Sequence, residues 1–320
     1  MKKAVLSILI FTIAVSAAAA KDPRLSAMGN IGIGVSGTNM QSYPNPAAVY
    51  FDKNDFTFAI RGNLEDTAGA ETLPYKPGAG LNILFVAEMI TMGIDVSLYS
   101  NLREEKGHAD LYQASSLNLN FSAGYENFSA GFGISGGSVQ HRLDVPMTSV
   151  SDFIMQTLLA QYERVVNSEF IQVNAGFMFK YRQFSVGVLL DNILDKNGSA
   201  TVLMLKNMFS ETGIGVYWSR DEYSSRGRMN NFVYSFAAEM NYLFDYYRRS
   251  VSAGTELKFR FVRDSSISLR LGYSAKLVDI KGGTLTAGIG LTYRKFEAAF
   301  NLEKPYGGQS RLKLCGTILF

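Results

Sequence analysis

Few residues in this chain could do covalent chemistry. His108 and His141 are its only histidines, and Cys315 is its only cysteine. Ser138, His141 and Asp144 come nearest to the nucleophile, base and acid that a hydrolase needs. Their segment reads as a loop, where a solvated histidine is the plainer reading. No His/Cys cluster has metal-ligand spacing, so neither a metal nor a cofactor is expected. The glycine run "GNIGIGVSG" that begins at Gly29 has no strand before it and no basic residue within it, so it is not a phosphate loop. Enzymatic chemistry is therefore not expected. Charged side chains that could meet a ligand sit instead on alternating runs: Asp95, Lys180, Glu256, Lys258, Arg260, Arg270, Glu297 and Glu303. They read first as a self-neutralising ion-pair lattice. A sharper reading is a polar path around a plug, or a carboxylate-binding spot near Arg260 and Arg270; separately, Asp95 follows Gly93, a glycine that could kink its strand.

The elements that carry these charges read as strands. Phe56, Phe58 and Ile60 alternate with Thr57, Ala59 and Arg61. Ile267, Leu269, Leu271 and Tyr273 alternate with Ser268, Arg270, Gly272 and Ser274. In such runs the charges fall on one face and the other face stays apolar. Run lengths suit tilted strands crossing a bilayer, and Tyr99, Tyr125, Tyr181, Tyr273 and Tyr293 fall near run ends. A transmembrane barrel explains this better than a soluble sandwich. Expected strands are 54–61, 79–87, 91–100, 113–125, 127–137, 169–181, 183–190, 210–218, 229–240, 250–262, 266–276, 283–294, 295–303 and 310–320. Connections alternate between long (62–78, 101–112, 138–168, 191–209) and short (88–90, Glu126, Arg182), as in outer-membrane barrels. About 14 antiparallel strands are expected, with 12 or 16 as alternatives, and an even count leaves both termini in the periplasm.

The first 20 residues read as a cleaved secretory signal, with Lys2 and Lys3 before an apolar run and small residues up to Ala20. The full chain has a formal net charge of +3, two of those charges being Lys2 and Lys3, so nothing points to nucleic acid. Thirty glycines, 39 Phe and Tyr residues and one Trp suit an exported β protein. The chain closes with "RLKLCGTILF", an amphipathic strand ending on Phe320, which resembles the signal read by the barrel assembly machinery. One helix is expected at 149–166, where Phe153, Ile154, Leu158 and Tyr162 recur at helical spacing and could line a lipid-capture groove. A second apolar loop segment, 201–208, would suit the receipt of greasy ligands.

"RLSAMGNIGIGVSGTNMQSYPNPAAVY", from Arg24 to Tyr50, resembles the mature N-terminus of the FadL family of outer-membrane transporters. Ser26, Ala27, Gly29, Gly32 and Gly34, followed by Asn45, Pro46 and Ala47, carry the resemblance. It implies a fourteen-strand all-β barrel with an N-terminal plug in its lumen: 1–20 signal, 21–53 plug, 54–320 barrel. Pro44, Asn45 and Pro46 would form the elbow between plug and wall, since each proline restricts itself and the residue before it. The resemblance further implies passive uptake of long-chain fatty acids or other hydrophobic molecules by a monomer in outer-membrane lipid. Ligands would leave after the plug moves or through a lateral gap. A FadL-like barrel that binds a surface or secreted partner is the alternative.

Overall fold

The computed structural model describes residues 23–35, 44–51, 56–66, 75–87, 90–105, 108–146, 165–197, 204–205, 211–220, 230–262, 265–308 and 310–319. The signal expected at 1–20, the helix residues Phe153, Ile154, Leu158 and Tyr162, and the terminal Phe320 lie outside them. One antiparallel sheet contains β1 (Phe56–Asp66), β2 (Tyr75–Ala87), β3 (Ile90–Glu105), β4 (His108–Tyr125) and β5 (Phe128–Pro146). It continues through β6 (Val165–Tyr181), β7 (Phe184–Asn197), the two-residue β8 (Met204–Leu205), β9 (Thr212–Ser219) and β10 (Phe232–Asn241). It ends with β11 (Ser250–Val262), β12 (Ser265–Lys276), β13 (Asp279–Tyr293), β14 (Phe296–Pro305) and β15 (Arg311–Leu319). Apart from β8, every strand pairs on both sides: β1 with β2 and β15, and β7 with β6 and β9. Among the described residues, the 14 long strands match the 14 runs read from the sequence.

Burial along these strands is the reverse of that in a soluble protein. On β12, Ser266, Ser268, Arg270 and Gly272 are buried, while Ile267, Leu269, Leu271 and Tyr273 are exposed. β14 repeats this, with Asn301 and Glu303 buried and Phe300 and Leu302 exposed. Water would penalise such an apolar row, whereas lipid tails would not. Substituting Leu269→Arg should therefore cost about 2–4 kcal/mol if the residue sits near a bilayer midplane. Urea unfolding in lipid vesicles would read this out; a cost near zero would mean that this face is wet.

Three tight turns share one pattern: Tyr125-Glu126-Asn127-Phe128, Tyr181-Arg182-Gln183-Phe184 and Tyr293-Arg294-Lys295-Phe296. Glu126, Arg182 and Arg294 adopt left-handed φ values of 51°, 52° and 52°. The six flanking aromatics are all exposed, and Arg182 and Arg294 lie over the rings of Tyr181 and Tyr293. Amphipathic rings gathered at one end of the strands suit a membrane interface.

At the other end, where the long connections lie, the strands outrun expectation. β3 reaches Glu105, β4 starts at His108, β5 reaches Pro146 and β7 reaches Asn197. Ladder hydrogen bonds continue there after the apolar alternation fades, so hydropathy underestimates the strands. His108 and His141 accordingly lie on β4 and β5 rather than in loops, with His141 opposite Tyr112. Val165 and Val166 open β6 and do not close a helix. Met204 and Leu205 pair with β7, so part of the 201–208 loop is a strand. Gly93 introduces no break: β3 pairs with β4 without a register shift from Ile90 to Glu105.

Candidate functional site

The most deeply buried apolar side chains belong mainly to the N-terminal segment. Leu25, Met28, Ile31, Val35, Ala47, Ala48 and Val49 are each 2% exposed or less. This segment contains helix α1 (Pro23–Ala27) and a 3₁₀ helix (Pro46–Phe51). α1 packs on β12, β13 and β14, whereas the 3₁₀ helix packs on β3, β4, β5 and β6. A short apolar stretch thus sits against the polar face of the sheet, in contact with strands far apart in the pairing order.

Small polar residues of the sheet hold its backbone. The hydroxyls of Ser129, Ser185 and Thr286 donate to the carbonyls of Ala47 (2.8 Å), Gly34 (2.6 Å) and Ala27 (2.9 Å). The Glu239 carboxylate accepts from the amides of Gly32 (2.8 Å) and Ile33 (3.1 Å). These bonds satisfy backbone groups that burial would otherwise leave unpaired. Gly29 has φ +92°, which favours glycine, and a side chain there would press on the Tyr273 backbone. Gly32 lies against Pro44, and Gly34 against the backbone of Gly215.

Asn45 is fully buried at the elbow. Its Nδ2 reaches the carbonyls of Ile33 (2.9 Å), Phe177 (3.3 Å) and Val188 (3.4 Å). Its Oδ1 accepts from the Ala47 amide at 3.0 Å, which starts the 3₁₀ helix. One side chain thereby ties both parts of the segment to β6 and β7. An Asn45→Ala change should cost about 2–3 kcal/mol, since it strands several buried backbone groups. Urea titration would measure it, and a loss below about 0.5 kcal/mol would remove Asn45 from this role.

The charges on this face are largely matched within the chain. Glu256 accepts from Arg24 Nη2 at 2.5 Å and Arg270 Nε at 2.8 Å. Arg270 Nη2 lies 3.6 Å from Glu297, and Lys313 Nζ lies 2.8 Å from Glu303. Ser26 Oγ donates to the same Glu303 oxygen at 3.1 Å. Gly290 leaves the room that the Arg270 guanidinium fills. The lattice reading therefore describes Arg270, whose carboxylate partners are this chain's own. Arg260 lies opposite Ser266 and Arg270 opposite Glu256, so the two sit four residues apart along one strand pair, about 13 Å. Asp95 is on β3, opposite Asn82 and Asn118. Arg260 and Arg270 thus belong to the β11–β12 pair and Asp95 to β3. The role of Glu239 in holding the amides of Gly32 and Ile33 is not among the sequence expectations. In the sequence Glu256 reads only as one of several charges on this face; the β11–β12 register sets it opposite Arg270.

Between the N-terminal segment and the long-connection end lies a cavity of ≈ 790 Å³. Ile33, Pro44 and Leu189 give it an apolar patch, and Asp191, Glu211, Tyr242 and Lys276 add polar groups. Sequence reading did not find it, because its lining comes from the segment and the ends of six strands.

No protein-family model matches the chain, and no curated protein matches its sequence. Solved structures do match its fold. The CymD monoaromatic hydrocarbon channel aligns over 94% of this chain and 96% of its own, with 13% identity and a TM-score of 0.63. The toluene transporter TbuX of Ralstonia pickettii aligns over 97% and 98%, with 9% identity and a TM-score of 0.57. The toluene transporter TodX of Pseudomonas putida aligns over 96% and 98%, with 12% identity and a TM-score of 0.56. These neighbours are channels and transporters, not enzymes. The chain has the fold of FadL-type outer-membrane hydrocarbon channels, the architecture that its N-terminal motif resembles.

Proposed function

We propose that this chain forms an outer-membrane barrel closed around its own N-terminal segment and carries hydrophobic compounds across by passive diffusion. The pairing of first strand with last supports closure. The apolar outer face supports a lipid setting, and the burial of residues 23–35 and 44–51 supports a plug. In this reading 1–20 is a removed signal, 21–53 the plug and 54–320 the barrel. Both termini lie in the periplasm, Phe320 serves the assembly machinery, and the protein works as a monomer. One observation supports the functional part: a cavity of ≈ 790 Å³ lies beside the segment, with Ile33 and Pro44 in its lining.

Long-chain fatty acids are the ligands that the N-terminal resemblance implies. Asp191, Glu211 and Asp279 outnumber Lys276 among the charges lining the cavity, even with Glu211 paired to Arg248, and this excess disfavours a fatty acid carboxylate there. A neutral hydrophobe fits better, and the solved structures of like fold are titled for toluene and monoaromatic hydrocarbons. Cells with a lipopolysaccharide outer leaflet should take up labelled toluene faster when they make this protein, with a smaller gain for labelled oleate. No gain for either compound would overturn the reading.

A further inference from the structure

The sheet is uneven in height. β4 has 18 residues, whereas β10 and β14 have ten each. β13 sets the depth of the low side. Its exposed row starts at Tyr293, beside a tight turn, and runs through Leu291 and Ile289 to Leu285, which lies opposite Tyr273 of β12. The steps from Tyr293 to Leu285 cover about 27 Å of strand, or about 20 Å along a bilayer normal at a tilt of about 40°. An apolar band about 25 Å tall therefore ends just past Leu285, at the rim of this side.

Two exposed lysines occupy that rim on the outer face, Lys281 and Lys304. Lys304 lies opposite Leu285, and its Nζ donates to the Gly308 carbonyl at 2.9 Å. Lys281 is two positions from Gly283, where a side chain would meet the Tyr273 ring of the same outer face. Aromatic rings stand beside both. The Tyr306 amide donates to the Gly283 carbonyl at 3.0 Å, and the Tyr273 hydroxyl donates to the Ile280 carbonyl. Tyr306 itself is 76% exposed. The neighbouring acids are engaged elsewhere. Glu303 is buried on the opposite face with Ser26 and Lys313, and Asp279 Oδ1 accepts from the Gly282 amide at 2.9 Å. The patch is thus cationic and aromatic, and it continues downward into the exposed row of Leu285, Ile289 and Phe300. Tyrosines and lysines at this depth match the head-group layer of a bilayer.

We propose that Lys281 and Lys304, flanked by Tyr273 and Tyr306, form a binding site for the phosphate of a lipid head group in the outer leaflet. The phosphate pairs with two ammoniums at head-group depth, while acyl chains of the same lipid lie along Leu285 and Phe300 below. Free phosphate lacks the second contact, so the site selects a lipid. This rests on the membrane reading above and not on the compound carried. The test titrates the full chain, purified in a neutral detergent, with diphosphoryl lipid A. Lys281→Gln with Lys304→Gln should weaken binding about tenfold, because two cations facing an anionic head group are lost. Lys281→Arg with Lys304→Arg keeps the charge and should bind as the unmodified chain does. Arg294→Gln with Lys295→Gln removes the same charge from a tight turn at the other end and should leave binding unchanged. Dephosphorylated lipid A should bind about tenfold more weakly. Inorganic phosphate in large excess should not displace the probe. All variants should keep the heat-modifiable gel mobility of a folded barrel. No loss from the Lys281 and Lys304 change, equal losses from both glutamine pairs, equal binding of the two lipid A forms, or displacement by inorganic phosphate overturns the site. A chain that stays in solution without detergent and inserts into no vesicle would instead overturn the membrane reading.

Discussion

Replacing Glu256 with alanine is expected to cost about 3–5 kcal/mol of folding stability. The carboxylate is 3% exposed and stands between two guanidiniums, those of Arg24 at 2.5 Å and Arg270 at 2.8 Å. Removing it leaves two positive charges in a space with little water. Glu297, at 3.6 Å from Arg270, makes a longer contact than the one Glu256 makes. The same change loosens α1, because Arg24 is the ion-pair link from the N-terminal segment to β11. A contrast is built into the sheet: Glu169, with its side chain 68% exposed, meets Lys196 at 3.4 Å. Glu169→Ala should therefore cost less than about 1 kcal/mol. Urea unfolding of both variants in the same lipid vesicles separates a buried hub from a solvated pair. Equal losses would contradict the burial argument.

The second large effect is steric. Gly272 faces the backbone of Met28 and Gly29 so closely that a Cβ would overlap it, and Gly254 meets the Met28 backbone from the next strand. A Gly272→Val side chain cannot rotate away from main-chain atoms on one side and a paired strand on the other. The segment, held by a few hydrogen bonds per turn, yields before the ladder does. Gly272→Val is expected to expel the region around Met28, so that a protease cleaves at Arg24 and ion conductance rises well above that of the unmodified protein. Gly316→Val is the control, since a Cβ there meets nothing within 4 Å. An unchanged conductance for Gly272→Val would mean that the segment does not obstruct the interior.

Much of the sheet was legible because one face of each strand stays apolar and the other collects Ser, Thr, Gly and charge. On β12 that rhythm alone separates Arg270 from Leu269, and the structure has Arg270 buried and Leu269 exposed. Strand ends were less legible. Around His141 the two faces no longer differ in polarity, so hydropathy sees a loop where hydrogen bonds continue a strand. Arg270 shows a second limit. Sequence reveals a charge on the polar face, but only register shows that Glu256 lies directly opposite and occupies it. Asn45 stood out because two prolines flank it, yet its reach to Phe177 and Val188 depends on contacts more than 130 residues away.

A plugged hydrocarbon channel and an open porin differ most directly in what crosses them. The decisive measurement pairs planar-bilayer conductance of the purified full chain with labelled toluene uptake by cells producing it. The account predicts faster toluene uptake with little steady ion conductance, because a segment packed on the polar face of the sheet, as residues 23–35 and 44–51 are, would obstruct a closed barrel. A large, stable conductance without accelerated toluene uptake would contradict it.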